Sequence, residues 1–192
     1  MIADISHVGL MGTHGTGKST YARQLWAWAQ EQCPGQGVAL VNEVARRCPY
    51  PVNRGTSAEA QLWIFNIQMA NEIEAIGNAE YVICDRTVLD GLAYAEAADL
   101  LDVVDACMPM ALMWMERYSH ILWFRPQPGR LVEDGFRDVD PNFQIQIDNI
   151  LKAWINLHQI PVHEVSTCCD APSLITPVEK SQTALKSSSW PL

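Results

Sequence analysis

Short apolar runs alternate along the chain with longer segments in which apolar residues recur every three or four positions. Such short runs are typical of strands in a parallel sheet that is buried on both faces, and the longer segments are typical of the helices that cover it. The short runs predict five strands, at residues 5–11, 37–42, 81–84, 121–124 and 162–165. The periodic segments predict five helices, at residues 18–32, 57–78, 87–98, 100–117 and 141–158.

Two of the predicted helices carry clear start signals. Ser57 precedes Glu59 and an apolar stretch, and Asp140 precedes a proline at the first helical position. From residue 166 onward the chain is polar and serine-rich, which predicts a C-terminal tail (166–192) with at most one short helix. No repeat and no linker divides the sequence, so we expect a single domain over residues 1–192, built on one doubly wound α/β sheet.

The loop after the first predicted strand reads GTHGTGKST. It has the GxxxxGK(S/T) spacing of a phosphate-binding loop, in which glycines let backbone N–H groups face a β-phosphate. The lysine of such a loop reaches the β- and γ-phosphates, and the serine hydroxyl binds Mg²⁺. The sequence therefore predicts nucleotide binding by nine consecutive residues, namely Gly12, Thr13, His14, Gly15, Thr16, Gly17, Lys18, Ser19 and Thr20.

Composition narrows the class of nucleotide-binding protein. The chain has 192 residues, of which 48% are hydrophobic, enough to bury one core. A formal net charge of −9 argues against a broad electrostatic surface for duplex DNA. The six cysteines show neither CxxC pairs nor a metal-ligand spacing, so reduced thiols are expected. No apolar run reaches the roughly 18 residues of a membrane span, and the first strand begins near residue 5, so we expect no membrane association and a cytoplasmic location.

Charged residues follow three of the predicted strands. Glu43 comes just after the second strand, Asp85 and Arg86 come directly after the third, and Arg125 follows the fourth. Because ligands bind at the carboxyl ends of parallel strands, we expect these side chains to lie near the phosphate loop. Asp85 stands where a Walker B acid holds Mg²⁺, together with Ser19. Of the two carboxylates, one would lie near the metal and the other would accept a proton from an attacking hydroxyl.

The segment from 126 to 140 contains glycines and arginines between the fourth strand and the last helix. In small kinases this is the position of a mobile lid whose arginines close over the transferring phosphoryl group. An ordinary surface loop, in which Arg130 and Arg137 pair with neighbouring acids, is the alternative.

Five stretches carry a resemblance to a known family: GTHGTGKST, NEVARRCPYP from residue 42, AQLWIFNIQMANEIE from residue 60, CDRTVLDGLAY from residue 84 and DGFRDVDPNFQIQIDNIL from residue 134. Together they span residues 6–165, and the chain resembles the small P-loop nucleoside and nucleotide kinases. The branch it resembles most contains ribosylnicotinamide kinase domains and phage-type kinase-like ATPases. The resemblance implies a three-layer α/β/α P-loop fold with a five-stranded parallel sheet and a short lid loop.

The same resemblance implies roles for particular residues. Glu43 and Arg46 would face the acceptor and Gln68 would lie in its pocket, while Asp85 and Arg86 would sit at the phosphoryl-transfer centre and Arg137 would belong to the lid. The catalytic set is then Lys18, Glu43, Asp85, Arg86 and Arg137, and the acceptor set is Glu43, Arg46, Gln68 and Arg86. ATP and Mg²⁺ are the expected cofactors.

The activity expected from the resemblance is transfer of a γ-phosphate to a hydroxyl group of a small nucleoside-like, nucleotide-like or nucleobase-type acceptor. Two alternatives remain open at this stage. A phage-type relative could phosphorylate 5-hydroxymethylpyrimidines in DNA, which would be the one way DNA is a substrate, in the host cytoplasm. A nucleotide-binding ATPase switch could instead act on a protein partner. The chain lacks the NKxD motif of guanine-specific GTPases, and its apolar segment 108–115 would suit either a homodimer interface or a buried helix.

Overall fold

The sheet at the centre of the molecule is entirely parallel. In the computed structural model, which describes residues 6–127, 138 and 140–165, the strands are β1 (Ser6–Met11), β2 (Val38–Val41), β3 (Tyr81–Cys84), β4 (His120–Phe124) and β5 (His163–Val165). Their order is β2-β3-β1-β4-β5. Val8 of β1 pairs with Ile83, and Leu10 pairs with Leu122. The first strand is therefore central, with β3 on one side and β4 on the other.

Five α-helices connect these strands: α1 (Lys18–Gln32), α2 (Ala58–Asn78), α3 (Val88–Ala97), α4 (Leu101–Met115) and α5 (Pro141–His158). All ten predicted elements are confirmed, and their ends differ from the prediction by at most two residues. The start signals also act as predicted, since the Ser57 side chain accepts a hydrogen bond from the backbone N–H of Ala60 and Asp140 accepts one from Asn142. Two short 3₁₀ turns, Val44–Arg47 and Asn53–Gly55, lie between β2 and α2.

The two faces of the sheet are covered unequally. Alternate residues of β1 point to opposite faces, so that Leu10 packs with Tyr21 and Leu25 of α1, whereas Met11 packs with residues of the other four helices. The predicted three-layer α/β/α arrangement is confirmed. The larger core, between the sheet and helices α2 to α5, contains the buried Trp114 and Trp154.

The segment 108–115 belongs to α4 and is partly buried. Ala111, Trp114 and Met115 pack in the larger core, while Met110 and Met113 are 45% and 54% exposed. A homodimer through this helix stays a prediction. Among the helices in the described part of the chain, none is both long and apolar enough to span a membrane. The predicted tail at 166–192 lies outside the described residues, as does Arg137.

Candidate functional site

The phosphate loop joins β1 to α1 and has the backbone that its glycines make possible. Gly12, Gly15 and Gly17 have φ angles of 137°, 71° and 92°, which side chains with a Cβ rarely adopt. A Cβ at Gly12 would also collide with the carbonyl oxygen of Phe124 on β4. Gly17 precedes α1 and offers no side chain to cap it, so the first N–H groups of the helix remain available to an anion.

Lys18 lies inside this loop and is only 4% exposed. Its ammonium group donates hydrogen bonds to the Thr13 carbonyl and, at 3.1 Å, to the Thr16 hydroxyl. Burial, and after it the nearby charge of Arg86, outweigh the opposing effect of the surrounding carboxylates and lower the pKa of Lys18 to about 8. A phosphate group bound in the loop would restore the charge that burial disfavours.

Asp85 follows the carboxyl end of β3, at the same edge of the sheet as the phosphate loop. Its side chain is 5% exposed, and its Oδ1 atom has no hydrogen-bond partner among the residues that the structure describes. A buried carboxylate oxygen is costly unless a cation or a donor compensates it. Ser19 lies in the first turn of α1 and is half-buried. A carboxylate and a hydroxyl beside a phosphate loop are the oxygen ligands that Mg²⁺ prefers, so the residues present fit this ion.

Arg86 forms the centre of the polar cluster and is 12% exposed. Its Nε and Nη2 atoms donate to Oε1 of Glu43, both at 2.7 Å, and its Nη1 donates to the Gly12 carbonyl at 3.3 Å. Arg46 donates to the other Glu43 oxygen at 3.0 Å. Burial by itself would raise the pKa of Glu43, but the charge and hydrogen bonds of Arg86 outweigh it and hold that pKa at about 2. Glu43 is therefore ionised and tightly paired.

The backbone of Arg86 is as unusual as its side chain. Its φ angle is 114°, in the region that strongly favours glycine. Strained residues of this kind persist only where surrounding contacts hold them, and they cluster at functional sites. The amide nitrogen of Gln68 on α2 supplies one such contact by donating to the Arg86 carbonyl at 3.3 Å.

Asp90 is a site residue for which sequence reasoning assigned no role. It is 1% exposed, and its Oδ1 accepts a hydrogen bond of 2.8 Å from the backbone N–H of Gly12. Its Oδ2 accepts from the backbone and the hydroxyl of Thr87, the residue that caps α3. The pattern of a threonine followed three residues later by an acid could have indicated the cap. Burial raises the pKa of Asp90, although Arg86 and Lys18 oppose the shift.

An open cavity of about 580 Å³ lies beside the Glu43–Arg86 pair. Its walls come from the segment after β2, from α2 and from the start of α3. Gln61 is 2% exposed and donates its amide to the Thr56 hydroxyl at 2.8 Å, while its Oε1 has no hydrogen-bond partner among the described residues. The polar and aromatic residues of the wall are Glu43, Asn53, Gln61, Phe65, Gln68, Arg86, Thr87 and Tyr94.

The structure brings together most of the residues proposed from sequence, with three differences. Gln68 lines the cavity, but its amide nitrogen is committed to Glu72 and to the Arg86 carbonyl. Arg46 lies outside the cavity wall, with a side chain that is 40% exposed. Arg125 pairs with Asp148 and Glu164. Most of the predicted lid, including Arg137, lies outside the described residues.

The fold and the phosphate loop define a P-loop protein of the α/β class. Within that class the chain belongs to the AAA domain family, whose model matches residues 7–170. No curated protein sequence matches the chain.

Solved structures share this fold. A deoxyadenosine kinase from M. mycoides with bound dATP superposes with a TM-score of 0.59 at 16% identity, covering 84% of this chain and 90% of its own. The NadR protein in complex with NR gives 0.61 at 18% identity over 85% of this chain, which spans 46% of that protein. A shikimate kinase from Acinetobacter baumannii in complex with shikimate gives 0.51 at 14% identity, covering 85% of this chain and 84% of its own. The resemblance to small P-loop nucleoside and nucleotide kinases is thereby confirmed at the level of the fold.

Proposed function

We propose that the protein is an ATP- and Mg²⁺-dependent kinase that transfers a γ-phosphate to a hydroxyl group of a small, uncharged, nucleoside-like acceptor. The observation that carries this proposal is the position of the Glu43–Arg86 pair. Arg86 contacts the phosphate loop through the Gly12 carbonyl, and both members of the pair line the adjacent cavity. A hydroxyl group in the cavity would therefore meet a carboxylate and a guanidinium beside the terminal phosphate.

Each of the other site residues has a part in this proposal. The backbone N–H groups of residues 12–20 and the ammonium of Lys18 would bind the phosphates, and Ser19 and Asp85 would hold Mg²⁺, which would supply charge neutralisation to the phosphates. Glu43 accepts the hydroxyl proton. A carboxylate with a pKa of about 2 is a weak base. Arg86 must therefore first direct some of its hydrogen bonds from Glu43 to the γ-phosphate, which makes Glu43 more basic. Arg137, in the predicted lid, would balance charge on the same group.

The cavity wall supports an uncharged acceptor. Among the described residues that line it, Glu43 and Arg86 are the charged ones, and they neutralise each other. Within the described part of the wall there is no further cation for a phosphate already present on the acceptor. Gln61 presents a buried carbonyl oxygen to an N–H or O–H donor, and Phe65 and Tyr94 offer aromatic surface. One of the proteins that share the fold is a deoxyadenosine kinase, named for a nucleoside acceptor.

The decisive experiment uses ATP labelled in the γ-phosphate, Mg²⁺ and a panel of acceptors. The panel contains nucleosides, mononucleotides, and DNA with and without 5-hydroxymethylpyrimidines. We expect label on nucleosides, loss of labelling in Lys18→Ala, and unchanged labelling in Lys152→Ala, a matched substitution at an exposed lysine on α5.

The other results would each overturn part of the proposal. Label confined to mononucleotides would contradict an uncharged acceptor. Label confined to hydroxymethylated DNA would contradict a small one. No label on any acceptor, combined with slow ATP hydrolysis that a protein partner stimulates, would contradict a kinase and support a nucleotide-dependent switch.

A further inference from the structure

Glu72 is a charged residue in the middle of the larger core. It lies on α2 and is fully buried. The Trp114 indole N–H donates to its Oε2 at 2.8 Å, and the Tyr118 hydroxyl lies 2.9 Å from both oxygens. The His7 ring approaches Oε2 at 3.2 Å. A carboxylate is retained in such a place only with this many donors around it, so its position is fixed tightly.

The same carboxylate is connected to the proposed site through Gln68. The amide nitrogen of Gln68 carries two protons and has two acceptors, Oε1 of Glu72 at 2.7 Å and the carbonyl of Arg86 at 3.3 Å. The second acceptor belongs to the residue whose φ angle is 114°. Holding the carbonyl of a residue in that conformation also determines where its Cβ, and hence its guanidinium group, projects.

The cluster also has the composition of a metal site, since ligand atoms of His7, Glu72 and Cys84 lie within 4.8 Å of one another. Two observations favour hydrogen bonding instead. The indole of Trp114 can only donate, and it donates to Glu72, so the carboxylate already serves as an acceptor. The Tyr118 hydroxyl also lies 2.9 Å from both Glu72 oxygens, so a second donor occupies the carboxylate.

We propose that Glu72 is a positioning residue for phosphoryl transfer, which acts through Gln68 on the backbone of Arg86 and so aims the guanidinium at Glu43 and at the phosphate loop. The role rests on the proposed function of the site. Glu72 itself is absent from the cavity wall, so it shapes the reaction without contacting the acceptor.

The test compares Glu72→Gln with Tyr118→Phe. Both substitutions remove one hydrogen bond from the buried network, but Tyr118→Phe leaves the connection from Glu72 to Gln68 intact. We expect Glu72→Gln to lower kcat by about tenfold to a hundredfold while KM for ATP changes less than twofold. Tyr118→Phe should lower stability and leave kcat within about twofold. Equal losses of kcat in the two variants would overturn the proposal.

A double-mutant cycle separates positioning from general damage to the fold. If Glu72 acts through Arg86, Glu72→Gln should cause no further loss of kcat in an Arg86→Lys protein. Losses that multiply in the double variant would overturn the proposal. If Glu72→Gln does not fold, Gln68→Met breaks the same connection, and its kcat is read in the same cycle.

One measurement does not depend on activity. The side-chain Nε–H of Arg86 faces Glu43, and its NMR resonance should shift and exchange faster with solvent in Glu72→Gln but not in Tyr118→Phe. An unchanged resonance in Glu72→Gln would overturn the positioning role even if the enzyme is active. If the wild-type protein transfers no phosphate while the Arg86 resonance still shifts in Glu72→Gln, the proposed function is overturned but the placement of Arg86 by Glu72 stands.

Discussion

Two arginines that follow the strands on either side of β1 have different surroundings. Arg86 comes after β3 and Arg125 comes after β4, and these strands flank β1 on opposite sides. Arg86 is 12% exposed and joins the phosphate loop to the cavity. Arg125 is 28% exposed and pairs with Asp148 of α5 at 2.9 Å. Of these two arginines, Arg86 is the one whose counter-ion also lines the cavity.

The counter-ions explain the difference. Glu43 extends from the segment after β2 across the edge of the sheet, so the Arg86 pair spans from the cavity to the loop. Asp148 belongs to a covering helix, so the Arg125 pair fastens α5 to the sheet, and its guanidinium stacks on Trp123 at 4.2 Å. The Arg86–Glu43 pair takes part in the proposed reaction, whereas the Arg125–Asp148 pair stabilises the packing of α5 on the sheet.

The largest difference should appear when each carboxylate is neutralised. Glu43→Gln leaves the guanidinium of Arg86 buried without its main counter-ion, which should lower the free energy of unfolding by about 3 kcal/mol. Asp148→Asn leaves Arg125 with Glu164 and with solvent, and should cost about 1 kcal/mol. Urea unfolding at neutral pH measures both values. A larger loss in Asp148→Asn would reverse the assignment of the two pairs.

Substitution of Arg86 should also lower kcat more than substitution of Arg125. Arg86→Lys keeps a positive charge but loses the paired geometry of the guanidinium, and should lower kcat about a hundredfold. Arg125→Lys should change kcat by less than about threefold. Single-turnover phosphoryl transfer with the acceptor found in the panel measures both effects. Comparable losses would mean that Arg125 reaches the reacting phosphate during catalysis.

The pH dependence of nucleotide binding should show a smaller effect. Free Lys18, with a pKa of about 8, is protonated below pH 8 and must take up a proton to bind ATP above it, so affinity should fall about tenfold between pH 7 and pH 9. Lys18→Arg should lack this fall because its charge persists. Arg86→Gln should move the fall to higher pH by removing a nearby positive charge, whereas Arg125→Gln should leave it in place. Calorimetric titrations with Mg-ATP provide the affinities.

The smallest effect should be the change in stability at acid pH, which should have opposite signs for Glu43 and Asp148. The pKa of Glu43 is lowered from 4.5 to about 2, so its contribution to stability is present above pH 4.5 and is lost as pH falls toward 2. The stability difference between wild type and Glu43→Gln should therefore shrink below pH 4.5. Burial raises the pKa of Asp148 above 3.8, so the native state takes up this proton first and the stability difference between wild type and Asp148→Asn should grow as pH falls from that raised value toward 3.8. Denaturant titrations between pH 6 and pH 3.5 compare the two.

The sequence was sufficient for the sheet, the helices and the phosphate loop because each of these is encoded locally. Periodicity distinguishes strands from helices, and GTHGTGKST specifies its own backbone. The neighbours of Arg86 could be proposed only from strand order and from the resemblance. The structure adds the pairing of Arg86 with Glu43, which depends on how the segment after β2 crosses the edge of the sheet.

Two residues show what local patterns could not supply. Glu72 reads as one more polar residue on α2, and its burial depends on Trp114 and Tyr118, which lie 42 and 46 positions away. The side-chain carbonyl of Gln61 indicates a ligand contact only because the structure shows it buried and without a hydrogen-bond partner among the described residues. Such long-range relations come from packing, and no periodicity encodes them.

Asp90 connects the phosphate loop to the start of α3 by hydrogen bonds. Its two oxygens hold the Gly12 N–H and the Thr87 N–H at once, across 78 positions of sequence. Local opening of the first turn of α3 releases the Gly12 amide to solvent, so the two amides should exchange hydrogen at matched rates. A nucleotide that orders the loop would slow both together. We therefore expect nucleotide binding at the proposed donor site to order the start of α3, which also lines the cavity.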